Sequence, residues 1–497
     1  VKDLATLEKE NADLRQQLAK LIEQVAKLND RLAELLPAAQ RRQRKTSEPK
    51  AVPPPVVDEA SRAAFEERPK APPKPETQKK PKTKVAPTGR KALPAHLEAE
   101  EHVLHPERCA HCGGAELDAA EVLVEEKLHV VKEHQRRRVV RRTTCRCRAC
   151  GGRTTPASLP APYERSKITS EWLAWLVHAK FVQLTPLDRI RRDLAERGIP
   201  LAISTLVSFI ERAADQLAPI DGLHWKRLLA SSWMATDGTG LKVLIPKLPA
   251  AHDGYIELYR NAVNAVFQYA PDKASDGVVA KLKTFKGTLT ADAEHRFNAV
   301  YATGDVVEAG CNAHGRRKFR DAEATQPVLG AEGGAFIGAM YGEEEKAREQ
   351  GLSGEALRVH RTTCIRPIAE QFRLWRVAVL PTLLPSEPLA AAIRYYEHHG
   401  TALLRFIDDP AVPIDNSPTE REFQNVAKLR LNMLFAGSSE GAHRACVLLG
   451  LTATCRAVGV PVQAYLSWAF DRLGTHRSAY GLSLSEMTPA AFKATRT

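Results

Sequence analysis

The sequence predicts an α/β protein, a sheet-based core with helical additions behind a coiled coil and a small metal-binding module. Three observations carry this. Short strand-like runs separated by Gly, Pro and Asn fill residues 231–309. Apolar residues at helical spacing flank them, over 165–230 and again from 312 to the C-terminus. Five unbroken heptads open the chain. Strands first and helices after is the pattern of an α/β core with helical additions.

The heptads span residues 1–36. Leu4, Asn11, Leu18, Val25 and Leu32 fall at a; Leu7, Leu14, Leu21, Leu28 and Leu35 fall at d; Pro37 ends the run. Leucine at every d with one Asn at a favours a parallel two-stranded coil and fixes its register. A single helix packing on its own core usually shows a wider apolar face. A zipper homodimer is therefore expected. Residues 37–88, rich in Pro, Lys, Ala and Glu, bury too little apolar surface to order themselves and read as a tether. Residues 89–160 form a small module and 161–230 a helical segment. In that segment Trp172, Leu173, Leu176, Val177 and Phe181 mark one helix, and Leu206, Ile210, Ala213 and Leu217 another. The turn at Gly198-Ile199-Pro200, with Ser204 as N-cap, has a weak likeness to a helix-turn-helix.

Residues 231–445 read as the core, with a helical insertion at about 320–410, and 446–497 as a C-terminal helical segment. The strand candidates are Met234–Asp237, Leu241–Ile245, Tyr255–Arg260, Ala262–Tyr269, Gly287–Asp292 and Val306–Ala309. No run of eighteen apolar residues occurs, which argues against a membrane span. The charged, heptad-patterned start is no signal peptide, so the cytosol (near the nucleoid) is the expected compartment. The chain begins at Val1 rather than Met, so a few leading residues are expected before it.

Lys plus Arg number 72 against 59 Asp plus Glu, and the excess is concentrated. Arg41 to Lys91 holds fifteen basic and six acidic residues; Arg136 to Arg153 holds eight arginines and no acid. Positive charge gathered in the N-terminal third points to a polyanionic partner, DNA above all. Cys109-Ala-His-Cys112 and Cys147-Arg-Ala-Cys150 are two CxxC knuckles 34 residues apart. Two such knuckles complete a closed tetrahedral Cys₄ site, so one structural Zn²⁺ is expected, with His111 and Cys145 as alternative ligands. Strands at Val122–Val131 and Arg137–Val140 would form the hairpin between the knuckles. Arg136, Arg137, Arg138, Arg141 and Arg142 would grip phosphate backbone.

A second constellation is acidic. Asp237 and Asp292 end strand candidates, and Glu420 lies in the first turn of a helix. Carboxylates from separate elements can converge on two Mg²⁺ or Mn²⁺ ions that drive an in-line phosphoryl displacement. The residues alone leave alternatives open. Asp237-Gly238 suits a hairpin turn, Ser417-Pro-Thr-Glu420 is a capping box, and Asp415 is a competing acid. His314, Arg316, Arg317 and Lys318 fall on a helix after Asp292, the basic residues as phosphate contacts, as do Lys428 and Arg430 beyond Glu420. Cys311 and His314 have ligand-like spacing without a second pair, and read as a packed Cys and a hydrogen-bonding His. Trp172, Trp175 and Trp468 read as core.

The chain resembles transposases of the insertion-sequence-66 family along nearly its whole length. The resemblance rests on Gly89–Leu97, the two knuckles, Lys180-Phe181 with Pro186-Leu187, and Asp237 with Lys242-Val243-Leu244. It continues in Gly310-Cys-Asn-Ala-His-Gly-Arg-Arg-Lys-Phe319, Asp415-Asn416 with Glu420-Arg421, Arg430, Asn432 and Leu434-Phe-Ala-Gly-Ser438. It implies a zipper, a zinc module and an RNase-H-like core whose catalytic acids are Asp237, Asp292 and Glu420. The expected activity is metal-dependent strand cleavage and strand transfer at element ends, with accessory proteins of the element as further candidate partners. The alternative is a catalytically inactive DNA-binding descendant. The family commonly has Asp-Glu-Thr-Pro where this chain has Asp237-Gly-Thr-Gly240, Gly-Tyr in place of Ala293-Glu294, and Arg-Lys-Asn in place of Arg430-Leu-Asn432.

Overall fold

A computed structural model describes residues 58–72, 135, 138, 145–146, 153–154, 159–292, 294–475 and 483–496. The zipper heptads, most of the tether, the ligand candidates Cys109, Cys112, Cys147 and Cys150, and Arg136, Arg137, Arg141 and Arg142 lie outside the described residues. Of the hairpin strands expected between the knuckles only Arg138 is described, outside any strand; Cys145–Arg146 and Arg153–Thr154 form a two-residue antiparallel ladder.

The core is a five-stranded mixed sheet. Its strands are β1 (Trp233–Val243), β2 (His252–Arg260), β3 (Ala265–Ala270), β4 (Gly287–Thr290) and β5 (Val306–Ala309). They lie in the order β3-β2-β1-β4-β5. β2 runs antiparallel to both neighbours, while β4 and β5 run parallel to β1. Both faces are covered, so β2 and β3 read as nearly continuous buried runs rather than alternating ones.

Two of the expected strands are one. Met234–Asp237 and Leu241–Ile245 merge into β1, because β2 pairs with it continuously from Ala235↔Arg260 to Val243↔His252. Asp237-Gly238 is therefore mid-strand and no hairpin turn, and Asp237 does not end its strand. Ala262–Tyr269 begins later, at Ala265, since Asn261 turns the chain: its side-chain oxygen accepts from Val263 N (3.0 Å) and Asn264 N (2.9 Å). Gly287–Asp292 stops at Thr290.

Helices α2 (Ser170–Phe181), α3 (Leu187–Glu196) and α4 (Ile203–Leu229) follow a short α1 (Glu59–Glu66). Leu173, Leu176, Val177, Leu206, Ala213 and Leu217 are fully buried, as their spacing requires. Gly198, at φ +77°, makes the α3–α4 turn, but Ala202 and not Ser204 occupies the N-cap of α4. α5 (Ser275–Leu282) and α6 (Asn298–Tyr301) cover the other sheet face with Phe285, Leu289 and Phe297.

The chain then enters α7 (Asn312–Ala322), α8 (Pro327–Glu349), α9 (Gly354–His360), a π-helical turn at Arg361–Ile365, α10 (Arg366–Val379) and α11 (Pro388–Leu404). These have their own aromatic core of Phe319, Phe336, Phe372, Trp375 and Tyr396. One amide closes the excursion: Asn312 Nδ2 donates to Leu403 O (2.7 Å) and Ile414 O (3.0 Å), and Tyr396 donates to its Oδ1 (3.0 Å). α12 (Ser417–Met433), α13 (Ser439–Val458), α14 (Val462–Thr475) and α15 (Pro489–Ala494) complete the fold. Ser438 caps α13 through Gly441 N (2.9 Å), and Gly459 ends it at φ +70°. Among the described residues no single helix is long and apolar enough to cross a membrane.

Candidate active site

The parallel ladder between β1 and β4 runs toward Asp237 on one strand and Asp292 beyond the end of the other. Trp233 faces Thr288 and Ala235 faces Thr290. The same offset, carried two residues past the end of β4, would set Asp292 opposite Asp237, and the charge of Asp292 does bear on the Asp237 carboxyl. Neighbouring strands lie roughly 5 Å apart, so two acids in register are within reach of a shared partner.

Glu420 arrives from a third element. Asn416, at the N-cap of α12, spends its amide on the sheet rather than on the helix: Nδ2 donates to Thr236 O at 2.9 Å, one residue before Asp237. Arg260 Nη1 donates to Pro418 O at 2.9 Å and holds the first turn from the β2 side. The Ser417–Glu420 capping box does not form, because the helix starts at Ser417 itself and Asn416 is the cap residue. Glu420 instead faces Cys311, whose Sγ lies 4.0 Å from its Oε1. Asp415, the competing acid, accepts from Tyr341 OH (2.8 Å) and Ser417 N (3.0 Å), so it anchors α8 and the start of α12.

The electrostatics report the convergence. The Asp237 carboxyl is pushed up to about 6, first by burial and then by the charges of Glu420, Asp292 and Glu294. The Gly238 N–H, donating to Asp237 Oδ1 at 2.6 Å, opposes the shift without cancelling it. A carboxyl crowded by other acids is a favourable setting for a cation.

Two residues after β5 join the acids. His314 Nε2 lies 3.4 Å from Asp292 Oδ2. Cys311, His314 and Glu420 present donor atoms all within 4.8 Å of one another. The buried Cys311 thiol is pushed up to about 11, chiefly by burial, so it stays protonated at neutral pH, and it accepts from Asn416 N at 3.3 Å. The spacing Cys-x-x-His marked this pair as a packed Cys and a bonding His; that Glu420 completes the group has no local signal. Glu294, which bears on Asp237, was not singled out by the sequence either.

The basic residues expected to meet phosphate divide into two groups. Arg316, Arg317, Lys318 and Lys428 are exposed. Arg316 lies 5.5 Å from the Tyr341 ring centre and Lys318 Nζ 5.0 Å from that of Tyr395. Arg430 is turned inward, donating to Thr239 Oγ1 (3.0 Å) and Gly240 O (2.5 Å), where it braces β1. Arg138 pairs with Glu171 at 3.5 Å, both about half exposed. Trp172, partly buried, packs against Trp175 and Phe209 and donates to Gln135 Oε1 (2.7 Å), as a core-edge residue does.

A sequence model of the Transposase IS66 family matches residues 165–444, from the helical segment through the sheet, the insertion and α12. The chain belongs to the IS66 transposase family. Three proteins of Sinorhizobium fredii (strain NBRC 101917 / NGR234) are similar to this IS66 member. The uncharacterized protein y4qI is 27% identical over 420 residues, 79% of this chain and 76% of its own length. The uncharacterized protein y4hP is 27% identical, covering 78% and 74% respectively. The uncharacterized protein y4jD is 28% identical, covering 77% and 78%. The family match takes in Asp237, Asp292 and Glu420 together, with the exposed cations of α7 between the second acid and the third. A Cβ on Gly238 would lie 2.2 Å from Cε1 of Tyr255, so the ring occupies the space a side chain would need.

Proposed function

We propose that this IS66-family protein cuts and joins DNA at insertion-sequence ends, using Asp237, Asp292 and Glu420 as a DDE triad on an RNase-H-like core. The observation that carries the reading is the crowding of Asp237, whose carboxyl the charges of Glu420 and Asp292 raise, with the parallel ladder ending at Ala235↔Thr290, two residues short of both Asp237 and Asp292. The strand order, with one antiparallel strand inside an otherwise parallel set, supports the RNase-H-like assignment.

The donor set fits divalent cations. Three carboxylates from separate elements stand together, one of them, Asp237, raised by burial and by the charges of the other two, and Mg²⁺ or Mn²⁺ prefer such oxygen donors. Asp237, Asp292 and Glu420 would hold two ions, which when bound activate a water or 3′-hydroxyl and stabilise the leaving oxygen. The chain's own residues do the rest. The Asn416–Thr236 bond fixes Glu420 against β1, and His314 orients Asp292. Arg316, Arg317, Lys318 and Lys428 face solvent and offer phosphate contacts that set the strand's path without reading its sequence. In the same reading the zipper makes a homodimer, and the Cys109, Cys112, Cys147, Cys150 module carries one structural Zn²⁺ and grips DNA with its arginines.

The test is strand cleavage of DNA carrying the element's ends, with Mg²⁺ present and absent. Asp237→Asn, Asp292→Asn and Glu420→Gln should each lower cleavage by about 10³-fold or more, while DNA binding measured by mobility shift is retained. Three variants that cut as the parent does would remove the triad. A parent that binds the ends yet never cuts them, with either metal, would make it a DNA-binding descendant of such an enzyme.

A further inference from the structure

Inside the helical insertion three donors of different chemistry, none of them part of the carboxylate triad, meet. Glu343 on α8, His360 at the end of α9 and Cys364 in the π-helical turn present a carboxylate oxygen, an imidazole nitrogen and a thiol sulfur all within 4.8 Å of one another. We propose that Glu343, His360 and Cys364 bind Zn²⁺, or a transition-metal cation of similar borderline softness, as a staple between α8 and the turn that follows α9.

The donor set selects the ion. A thiolate and an imidazole beside a single carboxylate suit Zn²⁺ and its neighbours far better than Mg²⁺ or Ca²⁺, which want oxygen alone. Zinc bond lengths of about 2.0–2.3 Å put tetrahedral ligands roughly 3.3–3.8 Å apart, so the donors need close by only about 1 Å. All three side chains are half-buried, shielded enough to hold an ion and open enough to admit one. Three protein ligands leave a fourth position for water.

The backbone around the site is already locked. Arg361, the residue after His360, is 2% exposed and forms a fork onto Glu344, the residue after Glu343, at 2.6 and 2.8 Å. Its Nη1 also donates to Phe406 O (2.6 Å), Asp409 O (3.1 Å) and Val412 O (3.0 Å). This buried cross-link fixes the separation of the two segments one residue away from the Glu343–His360 pair, which spares the site the entropy of assembly. The π turn adds a second irregularity of the kind that recurs at functional sites. Lys346 Nζ holds Glu343 Oε1 at 2.6 Å, while His360 Nε2 lies 3.1 Å from Glu343 O and 3.5 Å from Oε2, contacts that a bound ion would replace. Binding takes the proton from the Cys364 thiol and releases it to solvent, leaving Zn²⁺, thiolate and carboxylate with no net charge.

The experiment uses the full chain, reduced and stripped with a chelator, titrated with Co²⁺ and then Zn²⁺. The parent should take up one more equivalent than Cys364→Ser or His360→Ala, and Glu343→Gln should weaken that equivalent at least tenfold. The Co²⁺ form should lose one thiolate's share of the sulfur-to-metal absorption in Cys364→Ser. Other cysteines and acids are common to parent and variants, so they cancel in the difference, and none of the readouts depends on DNA cleavage. Glu343→Gln keeps its size and serves if a ligand deletion unfolds the insertion. Equal stoichiometry and equal affinity in parent and all three variants would overturn the proposal.

Discussion

Asp237 on β1 and Glu257 on β2 are near neighbours in one ladder, and the fold treats them in opposite ways. Asp237 faces Leu258 and Gly238 faces Glu257, so the pleat sends the two carboxyls to opposite faces of the sheet. Glu257 is only 1% exposed, yet Arg296 Nη1 and Lys281 Nζ each lie 2.6 Å from it and Tyr259 donates at 2.9 Å. Asp237 is less buried but sits among Glu420, Asp292 and Glu294, and its carboxyl rises to about 6. Depth alone does not decide what a buried acid does; its company does. One acid finds its cations within the chain and serves the fold. The other is surrounded by acids, and in the function proposed above its cation comes from outside.

That contrast can be broken at several points. The largest effect belongs to Glu257→Ala, which takes from buried Arg296 and from Lys281 the carboxylate they share and leaves Arg296 only Glu294, 2.6 Å from its Nε; it should cost about 3–5 kcal/mol in urea unfolding. A loss below 1 kcal/mol would mean the cluster is not structural. Gly238→Ala pushes a methyl into Tyr255, whose ring is also pinned by the Arg296 guanidinium 4.8 Å from its centre; about 1–3 kcal/mol should be lost. Wild-type melting behaviour in that variant would show that the ring moves freely.

Asp237→Asn should run the other way. A carboxyl raised to about 6 from 3.8 binds its proton more tightly folded than unfolded, so its contribution to stability falls as pH climbs from about 4 to 6. Asparagine does not titrate. The variant should therefore gain about 1–2 kcal/mol at pH 7, after allowance for partial exposure, and gain nothing at pH 4 or below. A variant no more stable than the parent at pH 7 contradicts the crowding of acids. Smallest of all is Lys242→Ala: its pair with Asp253, at 3.2 Å, is 61% and 84% exposed, and its loss should cost under about 0.5 kcal/mol. A larger loss would say that exposed pairs matter here as buried ones do.

Much of the architecture was legible before any coordinates. The helical runs over Leu173–Phe181 and Leu206–Leu217 declare themselves by apolar spacing, and both are buried as expected. The three acids could be named because each sits beside an element boundary or in a recognisable block. What escaped depended on contacts between distant residues. Asp237-Gly238 looks like a turn locally, and only pairing along the whole of β2 holds it extended. Ser417 and Glu420 look like a capping box, and only the docking of Asn416 on Thr236 O shows why another residue caps. Arg296 and Glu257 are 39 positions apart, and Cys311 and Glu420 109, so no window of sequence contains either pair.

The amide of Asn312 has a consequence for how such a chain can change over generations. Departure and return of the helical excursion meet at that one side chain, beside Leu403 and Ile414. The entropy of closing a loop grows only with the logarithm of its length. A detour whose entrance and exit are buttoned together can thus be trimmed, enlarged or exchanged at little thermodynamic cost, and Glu420, a few residues downstream of the button, keeps its address.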